Sequence, residues 1–173
     1  MNSYSILIQY NKNSLTEGID LIRRLTHPSF IKVEPPIYES SIGEHIRHIV
    51  EHYTCFLAGI PVGSVDYDAR HRNFRISSDR EYAEAQYENV CTQLDALDHE
   101  NVRLTVRMSG TTDADGGSPW SESNVKRELQ YLQAHTIHHY AIISMIMRVQ
   151  GIETDREFGV APSTLRYRQT SDI

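Results

Sequence analysis

The fold class this sequence predicts is all-α: a four-helix bundle with a minor β-hairpin between the third and fourth helices. Three observations predict it. Four segments carry apolar residues at helical spacing. Ser-x-x-Glu capping boxes occur in three of those segments. Between the third and fourth lies a short stretch of period-two alternation. The 173 residues suit a single domain, 1–173.

The first helix is expected from Ser3 or Tyr4 to Leu25, with Ile8, Leu15, Ile19 and Ile22 as its stripe. Ser14 and Glu17 make a box inside it, a place where the helix could also begin or break. His27-Pro28 ends it, because a residue before proline avoids the helical region. Ser41 and Glu44 open the second helix, which runs to about Ala58 and stops at Gly59 and Pro61. Residues 62–77 read as a polar loop, long for a bundle connection. Ser78 and Glu81 open the third helix, striped by Ala83, Tyr87, Val90, Leu94 and Leu97. Val102, Leu104, Val106 and Met108 alternate with polar residues as a strand, and Asp113 to Pro119 supply a turn toward Trp120. The fourth helix opens near Ser121 or Ser123 and closes at Gly151. Leu129, Leu132, Ile137, Ile142, Ile143, Ile146 and Val149 spread nearly all round it, which predicts a homodimer. The tail around Phe158–Thr164 reads as irregular and packed over the bundle.

Composition excludes several classes. The formal charge is -6, against a nucleic-acid partner. No stretch approaches the ~20 apolar residues of a membrane span. The N-terminus has no basic region before its short apolar run, so no secretory signal is read. The two cysteines, Cys55 and Cys91, are far apart and read as core filling in a reducing compartment, so the expected location is cytoplasmic.

The unusual number is 9 histidines. Six fall in two segments: His45, His48 and His52 in the second helix, and His135, His138 and His139 in the fourth. Residues i and i+4 share a helix face, so His135 and His139 point the same way, with Leu132, Ile142 and Ile146. That is the inward face, and two imidazoles on adjacent turns can chelate one metal ion. Glu128, seven residues before His135, lies on the same stripe. A buried carboxylate needs a partner, and a ligating imidazole N–H or a metal-bound water would supply one. On the second helix, rotation places His45 and His52 beside the apolar stripe of Ile42, Ile46, Ile49, Tyr53 and Phe56. His48 sits nearer the edge. Rotation alone does not decide the ligand, since an edge residue can still reach a site. A lone HxxxH pair is more often a core feature than a metal site. The second histidine cluster is what makes the pair informative.

With these two segments in hand, the chain resembles the DinB-like family, which includes metal-dependent hydrolases of YfiT type and bacterial thiol-dependent S-transferases. Ser41-Ile-Gly-Glu-His-Ile-Arg-His48-Ile is similar to the family's second-helix signature, and His135-Thr-Ile-His138-His139-Tyr-Ala-Ile to its last-helix signature. The resemblance implies a four-helix bundle of DinB/YfiT type whose metal ligands are His48, His135 and His139. Two positions depart from the pattern. His52 stands where many relatives carry an acidic residue, which leaves it as an alternative or extra ligand. Ile142 stands where many carry glutamine.

Three imidazoles leave a metal position open, as in catalytic sites. The expected function is thus a metal-dependent transferase, of thiol S-transferase kind, or a hydrolase acting on a small-molecule substrate. The ion is a single divalent one: zinc or nickel, with iron or manganese as further options. A low-molecular-weight thiol is the implied second cofactor. Glu128 is the candidate catalytic group, to orient a ligand or move a proton, or equally a buried structural carboxylate. Arg70 and Arg72 are candidates to recognise an anionic substrate, although a surface ion pair is the expected fate of each. The rival reading is a non-catalytic dimeric helical bundle whose histidines pack the core or store metal. A di-iron bundle is excluded, because no glutamate has histidine three residues later.

Overall fold

The computed structural model describes residues 2–108 and 120–171. Among these, four long helices form the bundle: α1 (Ser3–Arg24), α3 (Ile42–Gly59), α5 (Arg80–Asp95) and α6 (Val125–Val149). Shorter helices are α2 (His27–Ile31), α4 (Phe74–Ser78) and α7 (Pro162–Ser171). Three strands, β1 (Ser64–Asp66), β2 (Arg103–Arg107) and β3 (Ser121–Asn124), make one small open sheet. The protein is all-α with this small sheet set between core helices, as its periodicities predict. In the bundle, α1 packs on α5 and α6, and α3 packs on the same two. The stripes read from sequence line the interior: Leu15, Ile19 and Ile22 of α1, Ile42, Ile46, Ile49 and Phe56 of α3, and Ala83, Tyr87, Val90 and Leu94 of α5 are buried.

The helix ends show which local signals act. Ser41 and Glu44 form the expected capping box, each side chain bonded to the other's backbone N–H. The box read at Ser14 and Glu17 does not act, because α1 runs unbroken through it and Ser14 donates to the Tyr10 carbonyl inside the helix. His27-Pro28 lies in the first turn of α2, capped by Thr26, where proline needs no N–H partner. The third long helix is capped one residue later than expected, by Asp79 rather than Ser78. Ser78 is instead the last residue of α4. Ser121 and Ser123 lie in β3, and Asn124 caps α6.

The largest difference from the expected fold is the crossover at 62–77. It contains β1, parallel to β2, and then α4. Val65, Tyr67 and Ile76 are buried there, three apolar anchors in a mostly polar stretch. Two glycines of α3 let this crossover press close. A Cβ on Gly43 would stand 2.3 Å from the Ser77 carbonyl oxygen, and one on Gly59 would stand 2.4 Å from that of Ser64. The predicted hairpin is the antiparallel pair of β2 and β3, with Leu104 opposite Ser123. Its turn, Asp113 to Pro119, lies outside the described residues. The tail is not wholly irregular: Phe158 stacks on Tyr140 at 4.7 Å, and α7 follows.

Candidate metal centre

The site forms where α3 meets α6. The two helices run antiparallel there, so His45 comes beside His139 and His52 beside His135. The i, i+3, i+7 spacing of His45, His48 and His52 faces the i, i+4 pair of α6. His52 and His139 are buried, and His45, His48 and His135 are half-buried. His138, one residue before His139, is exposed.

Ligand nitrogens of His48, His52 and His135 all lie within 4.8 Å of one another, a geometry that can chelate a divalent ion. His139 adjoins this group, with its ring 4.5 Å from that of His48 and 4.6 Å from that of His135. Two details fit a cation. The His52 Nδ1–H donates to the His48 carbonyl at 2.8 Å, which leaves Nε2 of His52 as the nitrogen with a free lone pair. Nε2 of His135 is buried without a hydrogen-bond partner. A buried imidazole nitrogen left alone is costly unless something binds it.

Burial keeps these imidazoles neutral, with their neighbours' charges adding to the effect. It pushes His48 down to about 2, His139 to about 3, and His52 and His135 to about 4, and it lowers His45 as well. Neutral imidazoles are the form that binds metal.

The surrounding groups come from the crossover, from β3 and from the first turns of α6. Tyr67 stacks on His52 at 5.3 Å, and Tyr131 stacks on His135 at the same distance. Glu128 is buried, as expected of its stripe, but its partners are two hydroxyls rather than an imidazole. Tyr67 Oη donates to it at 2.8 Å and Ser123 Oγ at 2.5 Å. Glu128 thus reaches the histidines through Tyr67. Burial and this carboxylate drive the Tyr67 phenol well above its ordinary pKa, so it stays a proton donor. A cavity of about 300 Å³ shares Tyr67, Glu128 and Tyr131 with the cluster and is also lined by Val106, Met108 and Arg127.

Arg70 is half-buried. It donates to the Tyr67 carbonyl at 2.7 Å and to Nδ1 of His48 at 3.2 Å, and it pairs with the buried Glu51 at 3.6 Å. Arg72 is exposed. The thiols of Cys55 and Cys91 are free and half-buried. Cys55 donates to the Asp66 carbonyl, and burial pushes it up to about 11.

Sequence reading missed Tyr67, Tyr131, Ser123 and the contact of Arg70 with His48. Tyr131 had a signal, since it lies four residues before His135 on the same face. Tyr67 had none, because its place depends on how the crossover folds back.

Fold and site together define a mostly helical protein with a histidine cluster of metal-chelating geometry. No protein-family model matches the chain. Over 104 residues, 60% of its length, it is 32% identical to FK506-binding protein 5 of Rhizopus delemar. The match covers 27% of that protein, so the chain spans only about a quarter of this curated relative. No helix among the described residues is long and apolar enough to cross a membrane.

Proposed function

We propose that this chain is a single-domain, divalent-metal-dependent enzyme of DinB-like type, a transferase or hydrolase of a small molecule, with the ion held by His48, His135 and His139. The observation that carries this reading is the imidazole cluster: ligand nitrogens of His48, His52 and His135 lie at chelating distance, the His139 ring adjoins those of His48 and His135, and Nε2 of His135 has no hydrogen-bond partner among the described residues. The ion's chemistry is Lewis acidity toward a water or thiol that reaches it. Burial raises the thiols of Cys55 and Cys91, which disfavours either as a free thiolate, so a low-molecular-weight thiol from solution is the thiol assigned to the transfer reading. Arg70 places a cation beside His48, suited to an anionic substrate group or thiolate. Tyr67, held by Glu128, sets a protonated phenol against His52. The free cysteines suit a reducing, cytoplasmic setting.

Elemental analysis of the untagged protein tests the reading. One divalent ion per chain is expected, and His135→Ala or His139→Ala should remove most of it. A wild-type protein that takes up no zinc, nickel, iron or manganese after supplementation defeats it. The second reading is a non-catalytic bundle that packs or stores metal. It is favoured by the saturation of Glu128, whose two oxygens are both occupied by hydroxyls. Metal uptake with no hydrolase or thiol-transfer turnover across small-molecule panels would decide for it.

A further inference from the structure

Four imidazoles, rather than three, converge here. The rings of His48, His52, His135 and His139 make six pairs, and five are in contact. The distances are 4.2 Å for His48–His52, 5.0 Å for His48–His135 and 4.5 Å for His48–His139. They are 4.4 Å for His52–His135 and 4.6 Å for His135–His139. A metal–nitrogen bond of about 2.0–2.1 Å puts each ring centre about 3.2 Å from the ion. Two such rings at a right angle then have centres about 4.5 Å apart, and at a tetrahedral angle about 5.2 Å. Four of the five lie near the right-angle value, and His48–His135, at 5.0 Å, is somewhat wider. Four angles near 90° and one somewhat wider leave the remaining pair, His52 with His139, to take opposite positions.

The nitrogen inventory agrees. Nδ1 of His52 is tied to the His48 carbonyl, so its Nε2 is free to ligate. Nδ1 of His139 lies 3.0 Å from Nδ1 of His45. A single proton stands in that contact. If His45 donated it, His139 would carry its own proton on Nε2 and have no lone pair left for a metal. If His139 donates it, Nε2 of His139 becomes a ligand and His45 fixes its tautomer.

From these observations we infer that His52 is a fourth ligand beside His48, His135 and His139, that the centre takes a six-coordinate divalent cation of the nickel or iron(II) kind, and that His45 is a positioning residue which accepts the Nδ1 proton of His139. Two adjacent coordination positions then remain open, enough for a substrate and a thiol or water side by side. Tetrahedral zinc, saturated by four imidazoles, would have no open position. Ligation of His48 through Nε2 would put a proton on its Nδ1, so the 3.2 Å contact of Arg70 with that nitrogen would have to open.

The inference rests on the metal-site reading above, and the test separates the two. The full-length, untagged protein is stripped of metal and loaded with cobalt(II), whose visible spectrum reports coordination number. A weak, pale-pink six-coordinate spectrum is expected, and an intense blue tetrahedral one overturns the inference. His52→Ala and His52→Gln, checked for unchanged helical circular dichroism, should both weaken cobalt binding in chelator competition by more than tenfold. Wild-type affinity in either folded variant overturns the fourth ligand. His45→Ala should weaken binding about 10–100-fold, and His45→Gln, whose amide oxygen accepts the same proton, should recover most of that loss. No rescue, or no effect of His45→Ala, removes the positioning role. Failure of the wild-type protein to bind any metal sinks the metal-site reading itself, and this inference with it.

Discussion

At the scale of single residues, the site is a problem of keeping imidazoles uncharged. His48, His52, His135 and His139 are all held well below the ordinary imidazole value by burial, reinforced by neighbouring imidazoles at His48, His135 and His139 and by the Arg70 guanidinium at His52. In the unfolded chain each titrates near the usual ~6.5. Because the folded values are depressed, the associated stability is present above pH ~6.5 and is lost as pH falls toward the folded values of about 4 to 2. The metal-free protein is therefore expected to lose several degrees of melting temperature between pH 7 and pH 5, by scanning calorimetry. His52→Gln together with His135→Gln should flatten that slope, and a double variant with an unchanged slope would show that these imidazoles do not cause it.

At the scale of elements, α3 carries the site, and its first turn sets where the histidines fall. The Ser41–Glu44 box satisfies two backbone donors at once, and Ser41 is buried. Ser41→Ala should cost about 1 kcal/mol, which in a chain of this size lowers the melting temperature by about 2–4 °C. Metal affinity should fall only modestly, since His45 begins in the same turn but His48 and His52 lie deeper in the helix. A loss of metal without a loss of stability would contradict this division. On α6 the pattern is wider than one face needs. Leu129, Leu132, Ile143 and Ile146 are buried, and the tail near Phe158 and Leu165 lies by Ile137.

At the scale of the whole molecule, that tail takes over part of the surface expected for a partner subunit. The large apolar side chains that remain exposed on α6 are Met145 at 65% and Val149 at 46%. Gln150 binds the Ser29 carbonyl and Tyr38, so the connector carrying exposed Ile31, Val33 and Ile37 lies at the same end. These five side chains are the patch on which a homodimer is predicted, smaller than the sequence alone suggested. Light scattering at micromolar concentration should give twice the chain mass, and Met145→Glu should return the monomer. A wild-type monomer mass would end the prediction.

Much of this was legible in the chain before any fold was known. Helical period, the Ser41 box and the proline and glycine stops depend on neighbours within a few residues, and so does the shared face of His135 and His139. The same holds for the burial of Glu128. Those rules fail where several local signals compete. Ser14 and Glu17 satisfy a box pattern, yet Leu15, Ile19 and Ile22 gain more by staying in one buried helix. The sequence by itself determined the four helices, the alternating strand and the two histidine segments. Only the tertiary structure decided that five of the six histidines in those segments meet, that His45 lies against His139 and that Arg70 reaches His48. It also decided that Glu128 answers to Tyr67 and Ser123 rather than to an imidazole. All of these contacts except that of Glu128 with Ser123, five residues away, join residues far apart in the chain, and those of Tyr67 and Arg70 depend on a crossover anchored by Val65, Tyr67 and Ile76. No local period or spacing encodes where such a segment comes to rest.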